Sequence, residues 1–271
     1  MSKKSTSTRA KVGGGVVLAA TASALAAAAL GGAGTANANC ASISGFGNGG
    51  GCTSAPGAFA VGIGPNTTAT AAAPLSGAIA NGFNNGKTDK TTAVAGAPLS
   101  VAYAGGKNAS AITGGGPFQL AFTQGDNSTA IAGGAGGNAA VNVGNNAVVL
   151  AGGGVGNIAA NFGNSDSPLT PNVVVAEGNG ASAFNVGGAR NKVIAVGNLV
   201  NASNFIGDDN VVTATGGPGS AAFNFNGSKN IVSAVGGPGA IAGVFGLSDR
   251  NGAKSVTQTG TGINIKTPLN P

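Results

Sequence analysis

Apolar and polar residues alternate in short runs that repeat along the chain. Runs such as "NVVTAT" at 210–215 and "NIVSAV" at 230–235 start with Asn and continue with small and β-branched residues. This alternation predicts a β-strand. A second run in each unit, such as "AAFNF" at 221–225, follows the same pattern. The many glycines between the runs disfavour a helix, so each unit predicts two short strands joined by glycine-rich turns.

The Asn that opens each first run returns at a nearly fixed interval. The steps are 19 to 21 residues, apart from one of 26. The anchoring residues are Asn108, Asn127, Asn146, Asn172, Asn191, Asn210, Asn230 and Asn251. A fixed period of this length is typical of a solenoid. The sequence therefore predicts an all-β, single-chain β-solenoid (a flattened β-roll or β-helix) over residues 66–251, with about ten coils of 19–20 residues.

The single long step holds the segment "SDSPLTP" at 165–171, which contains two prolines. It predicts an inserted surface loop. Fainter units start upstream at Asn66 and Asp89.

Positions two and four after each anchoring Asn are predicted to face the core. Where one of the two residues is large the other is small, which keeps the volume of the core constant from coil to coil. One Phe per unit is predicted to stack inside the solenoid, opposite these positions. These residues are Phe162, Phe184, Phe205, Phe223 and Phe245. The repeated Asn is interpreted as structural, each one hydrogen-bonding the next and the turn backbone. The predicted ladder comprises Asn108, Asn127, Asn146, Asn172, Asn191, Asn210 and Asn230.

The N-terminus has the pattern of a secretory signal peptide, predicted to span residues 1–38. Lys3, Lys4 and Arg9 precede the apolar stretch 16–30, and "ANA" at 36–38 fits a cleavage site before Asn39. The alternative is that the segment stays uncleaved as a membrane anchor. The predicted location is secreted or in the cell envelope, with no transmembrane helix in the mature chain.

Two cysteines, Cys40 and Cys52, follow the predicted cleavage site. In an exported chain a close pair predicts a disulfide. The bridge would belong to an N-terminal cap at 39–65, and residues 252–271 are assigned to a C-terminal cap or tail.

The composition leaves few groups for chemistry. The chain has no His, and only 7% of its residues are charged. Removing Lys3, Lys4, Arg9 and Lys11 leaves nine of the 13 basic residues against seven acidic ones, which does not favour a nucleic-acid partner. The adjacent pair Asp208 and Asp209 is interpreted as a solvated turn. We expect no catalytic site, metal or cofactor, and therefore no enzyme.

Positions one, three and five after each Asn should point outward, and in the later coils they are rich in aliphatic residues. Such a face predicts an interaction surface, with a homo-oligomer or an envelope component as partner. The residues of this predicted interaction face are Val173, Val175, Ile194, Val196, Val211, Ile231 and Val235.

The "AxAxG" rhythm with Asn or Gly corners resembles the stacked repeats of trimeric autotransporter adhesin heads. The Gly-, Asn- and Ala-rich repeats after an Ala-rich signal also resemble exported envelope proteins of mycobacteria and related actinobacteria. The resemblance covers residues 66–251. It implies an exported structural or adhesive protein of the cell envelope. The alternative is a ligand-binding solenoid, with polysaccharide or ice as the ligand.

Overall fold

The computed structural model describes residues 39–47, 50–83, 85–246 and 254–267. The predicted signal peptide, residues 1–38, lies outside them. Within the described residues every regular element is a β-strand. A search of the same residues found no helix with the length and hydropathy needed to cross a bilayer.

The strands form two long sheets. The strands of the 13-stranded sheet are β1 (Cys40–Ile43), β2 (Phe46–Gly47), β4 (Phe59–Ile63), β6 (Gly77–Asn81), β8 (Val101–Gly105), β10 (Leu120–Gln124), β12 (Ala139–Val143), β14 (Ile158–Phe162), β16 (Ser182–Val186), β18 (Asn201–Phe205), β20 (Ala221–Phe225), β22 (Ala240–Phe245) and β24 (Gly262–Lys266). The strands of the 11-stranded sheet are β3 (Cys52–Ser54), β5 (Thr67–Ala71), β7 (Thr91–Ala95), β9 (Ser110–Thr113), β11 (Thr129–Ala132), β13 (Ala147–Gly153), β15 (Asn172–Asn179), β17 (Lys192–Asn198), β19 (Val211–Gly216), β21 (Ile231–Val235) and β23 (Ser255–Thr259).

The chain passes from one sheet to the other with nearly every strand, and each strand from β3 to β22 pairs in parallel with the strand two places further along. One strand in each sheet makes one coil, and the coils stack into a β-solenoid of about 11 turns. The predicted fold is confirmed. The stacking also runs further than residues 66–251, because β3 and β4 begin the two parallel series and β23 and β24 continue them.

The N-terminal end of the stack differs from the rest. Strand β1 pairs antiparallel with both β2 and β4. Cys40 in β1 and Cys52 in β3 form a disulfide with a Cα–Cα distance of 5.5 Å, which confirms the predicted bridge. Both cysteines are buried. Because β1 and β3 belong to different sheets, the bridge joins the two sheets at the first coil.

The core between the sheets is thin and built mainly from Ala and Val. In the 13-stranded sheet one inward column is Ala in every strand from β4 to β22. Its members are Ala60, Ala78, Ala102, Ala121, Ala140, Ala159, Ala183, Ala202, Ala222 and Ala242. In the later coils of the 11-stranded sheet, positions two and four after the anchoring Asn are buried as predicted. Val174 and Ala176 are examples, both fully inaccessible to solvent.

The predicted alignment is wrong by one residue in the earlier coils. Ala147, rather than Asn146, pairs with Asn172. Since side chains alternate between faces, a one-residue error exchanges inside and outside. The predicted inward residues that lie on the outer side are Ser110, Ile112, Thr129, Ile131, Val148 and Leu150. The residues buried in their place are Ala111, Thr113, Ala130, Ala132, Val149 and Ala151.

The predicted interior Phe column is also wrong. Phe162, Phe205 and Phe245 are 48%, 38% and 39% exposed, on the outer side of the 13-stranded sheet. Phe184 and Phe223 are half-buried in a neighbouring outward column. The inward positions of the same sheet hold mainly Ala and Asn, and none of them holds a ring.

Candidate functional site

The anchoring Asn residues form two ladders instead of one. Asn172, Asn191, Asn210 and Asn230 are fully buried or nearly so. The Oδ1 atom of each of the first three accepts a hydrogen bond from the backbone N–H of the next, at 2.9–3.0 Å. Their Nδ2 groups donate to corner carbonyls, as Asn210 does to Gly227 at 2.6 Å. These amides hold the corners together inside the solenoid.

In the earlier coils the anchoring Asn occupies the corner itself. Asn108, Asn127 and Asn146 have positive φ angles of 52°, 51° and 53°. Asn108 Nδ2 donates to Asn127 Oδ1 at 3.1 Å, and Asn127 Nδ2 donates to Asn146 Oδ1 at 3.2 Å. The anchoring Asn thus lies at the corner up to Asn146 and in the core from Asn172 onward. The register shifts there by one residue, because residues paired across the long step are 25 positions apart, whereas Asn146 and Asn172 are 26 apart.

Sequence reasoning missed a further buried ladder in the 13-stranded sheet. Its members are Thr123, Asn142, Asn161, Asn185, Asn204 and Asn224, all fully inaccessible. Each Asn donates from Nδ2 to the side-chain oxygen of the preceding member, over 2.7–3.1 Å. A signal was present, since the second strand of five successive units carries Asn at the same place, as in "VNV" at 141–143, "SNF" at 203–205 and "FNF" at 223–225.

Asp208 and Asp209 lie at a corner of the solenoid and bind residues of the preceding coil. The Asp208 carboxylate accepts a hydrogen bond from the backbone N–H of Ala189 at 2.7 Å. Asp209 binds Arg190 through both oxygens, at 2.6 and 3.0 Å. The hydrogen bond from Arg190 is the largest cause of the lowered pKa of the Asp209 carboxyl. Arg190 also pairs with Asp166 in the inserted segment, which fastens that segment to the stack.

The predicted interaction face lies on the outer side of the 11-stranded sheet. Ile231 and Val235 are exposed, and the remaining members are half-buried: Val173, Val175, Ile194, Val196 and Val211. We call this outer side the aliphatic face. Glu177 and Lys192 interrupt it, and Ser and Thr occupy outward positions at both ends of the stack, as Thr68 and Thr257 do.

The outer side of the 13-stranded sheet from β4 to β24 is more apolar, and we call it the aromatic face. None of the outward residues of these strands carries a charge. The large apolar residues most exposed on it are Phe59, Val101, Leu120, Val143, Ile158, Phe162, Phe205, Phe225, Phe245 and Ile263. The rings of Phe205, Phe225 and Phe245 follow one another at centroid distances of 5.9 and 5.8 Å.

Glycines on the aromatic face are covered by neighbouring rings. A Cβ atom at Gly77 would collide with the ring of Phe59, and one at Gly243 would collide with the ring of Phe223. The rings therefore lean along the sheet into the places where side chains are missing.

A cleft of about 700 Å³ opens at the end of strands β6, β8 and β10. Its walls include Phe83, Tyr103, Lys107, Gln124 and Asp126. Gly105 leaves the gap, since it occupies the outward column between Asn81 and Gln124. Tyr103 stacks on Phe122 with the ring centroids 4.8 Å apart. The cleft thus combines an aromatic surface with amide and charged groups.

The described part of the chain contains no group of three His, Cys, Asp or Glu side chains arranged to hold a metal ion. No family model, curated protein or solved structure matches this chain.

Proposed function

We propose that this chain is a non-enzymatic exported protein that acts as a structural or adhesive rod of the cell envelope. The observation that carries the proposal is the pair of outer faces. Both sheets present rows of apolar side chains along the stack, in a rigid scaffold whose first coil is closed by a disulfide. Repeated surfaces of this kind suit packing against other molecules along their length.

Two further features support the location. A disulfide is compatible with an oxidising, extracellular compartment. The N-terminal 38 residues have the pattern of a cleaved secretory signal. The two features are independent, because the cysteines lie outside the predicted signal.

The test is to fractionate cells that make the protein and to measure the intact mass of the chain recovered from the envelope and the medium. We expect a chain that starts at Asn39, with a mass that rises by two hydrogens on reduction. Cells lacking the protein should show weaker surface attachment or a more permeable envelope. A full-length chain confined to the cytoplasm would contradict the proposal.

A second candidate function is saccharide binding in the Tyr103 cleft. Aromatic rings beside amide and charged side chains match the alternating apolar and hydroxyl faces of a sugar ring. The outward threonines give less support to ice binding, because Thr68, Thr70 and Thr92 are followed by aliphatic residues in the middle coils. Binding of the purified chain to insoluble polysaccharides should be lost in Phe83→Ala and Gln124→Ala and retained in Phe225→Ala. Equal binding by all three would remove this candidate.

A further inference from the structure

We propose that the aromatic face is a homodimer interface, on which a second copy of this chain packs sheet against sheet. The inference rests on the proposed structural role only in the choice of a second copy as the partner. Dimer formation itself can be measured with the purified protein alone. It also moves the interface from the aliphatic face, where the sequence places it, to the opposite side of the solenoid.

The chemistry of the face fits a copy of itself. In a two-fold dimer the same patch meets itself, so a charge near the axis lies close to its own copy, and a charge elsewhere needs an opposite charge at the matching position. The outward residues from β4 to β24 carry no charge, whereas the aliphatic face includes Glu177 and Lys192. Two aromatic faces can therefore meet without like-charge repulsion and without burying an unpaired ion.

The size of the face matches a stable dimer. Strands of five residues are about 16 Å long, and ten strand spacings of about 4.8 Å span about 48 Å. The resulting area is about 800 Å² on each copy, which corresponds to an interface of standard size.

The side chains at the centre suit an interface core. Strand β14 lies near the middle of the sheet order, and its Ile158 and Phe162 are 41% and 48% exposed. Interfaces draw most of their binding energy from such central apolar and aromatic residues. The rings of Phe59 and Phe223 cover Gly77 and Gly243, so apolar side chains continue across those two positions.

A lipid surface is the competing occupant, and the face fits it less well. Proteins that lie on membranes combine apolar residues with a rim of Lys or Arg that attracts anionic headgroups. On the aromatic face the outward positions of the strands include no basic residue. A second copy of the chain needs no basic rim. The uncharged face therefore fits a homodimer better than a membrane surface.

The experiment compares two matched double variants of the exported, oxidised chain by light scattering over a dilution series. Ile158→Lys with Phe162→Lys changes one strand of the aromatic face. Ile231→Lys with Val235→Lys changes one strand of the aliphatic face, at the same spacing and at similar exposure, 44% and 38%. Circular dichroism verifies that both variants keep the β-structure of the wild type.

We expect a wild-type dimer, a dimer for the aliphatic-face variant, and a dissociation constant raised at least about 100-fold for the aromatic-face variant. The emission anisotropy of Tyr103, the single Tyr in a chain without Trp, provides a second readout on the same face. A monomeric wild type would overturn the inference, whether or not it binds anionic vesicles. Dissociation by the aliphatic-face variant alone would also overturn it. Either result leaves the export test above unaffected.

If the aromatic-face variant fails to fold, the milder pair Ile158→Ser with Phe162→Ser is measured instead. Serine already occupies an outward position of this face at Ser182, so it is compatible with the strand. The serine pair is expected to weaken the dimer in the same direction. A folded serine variant with the wild-type dissociation constant would overturn the inference.

Discussion

At the scale of single residues, buried Asn side chains occupy core positions that large apolar side chains fill in most proteins. Asn142, Asn161, Asn185, Asn204 and Asn224 lie inside a core of Ala and Val. Burying a polar group is costly unless it is hydrogen-bonded. Stacking identical residues solves this, because the donor of each amide meets the acceptor of the one before it. The ladder therefore specifies the register as well as satisfying its own members.

The ladder predicts a clear response to Asn185→Ala. The substitution removes the donor to Asn161 Oδ1 and the acceptor of the Asn204 amide. Both groups are buried, so we expect a loss of about 1–3 kcal/mol in the free energy of unfolding. Urea denaturation followed by circular dichroism measures it. The control is Asn198→Ala at the exposed end of β17, where water can replace the lost hydrogen bond from Asn179. Equal midpoints for the two variants would show that the ladder adds no stability.

At the scale of the elements, the corners decide how closely successive coils can stack. Many corner glycines combine a positive φ with contact against the backbone of the next coil. Gly188 has a φ of 82°, and a Cβ atom there would clash with the carbonyl oxygen of Gly207. Gly236 has a φ of 80° and no atom within 4 Å of the position of a Cβ. Conformational freedom and close approach are thus separable requirements.

The two requirements can be separated by comparing Gly188→Ala with Gly236→Ala. Both variants place a Cβ on a backbone of nearly the same positive φ, which costs about 1 kcal/mol in each. Only Gly188→Ala also pushes neighbouring coils apart, so its thermal midpoint should fall further. Differential scanning calorimetry of the two variants gives the difference. An equal fall would mean that the coils can move apart at the corner without penalty.

At the scale of the whole molecule, the solenoid is a one-dimensional stack in which each coil contacts its neighbours. Stability in such a stack spreads through nearest-neighbour interfaces. The disulfide acts at one end only, between β1 and β3. The ion pair of Arg190 with Asp166 acts locally as well, at the inserted segment. Local changes should therefore have local consequences.

This predicts the effect of removing the disulfide with Cys40→Ala and Cys52→Ala. Hydrogen exchange should become faster in β1, β3 and β4, while protection in the central strands β14 to β18 stays as in the wild type. Reduction of the wild-type chain is the control and should give the same pattern. A uniform loss of protection along the stack would contradict the one-dimensional picture.

The sequence by itself determined the solenoid, its period and the disulfide. A repeat of 19–21 residues with alternating small and β-branched residues has few other ways to bury its apolar side chains. The glycine spacing located the corners, and the inward Val and Ala of the later coils, such as Val193 and Ala195, followed from alternation. These features are local, so they can be read from neighbouring residues.

The tertiary structure decided which side of each strand faces the core. Asn146 and Asn172 look equivalent in the sequence, but they occupy the corner and the core respectively. The Phe residues look like core residues, but the inward positions hold mainly Ala, Val and stacked amides, and the rings lie on the outer side. Whether a ring or an amide goes inside depends on the distance to the opposite sheet, and that distance is set by all the coils together. For this reason the aromatic face became visible only in the folded chain.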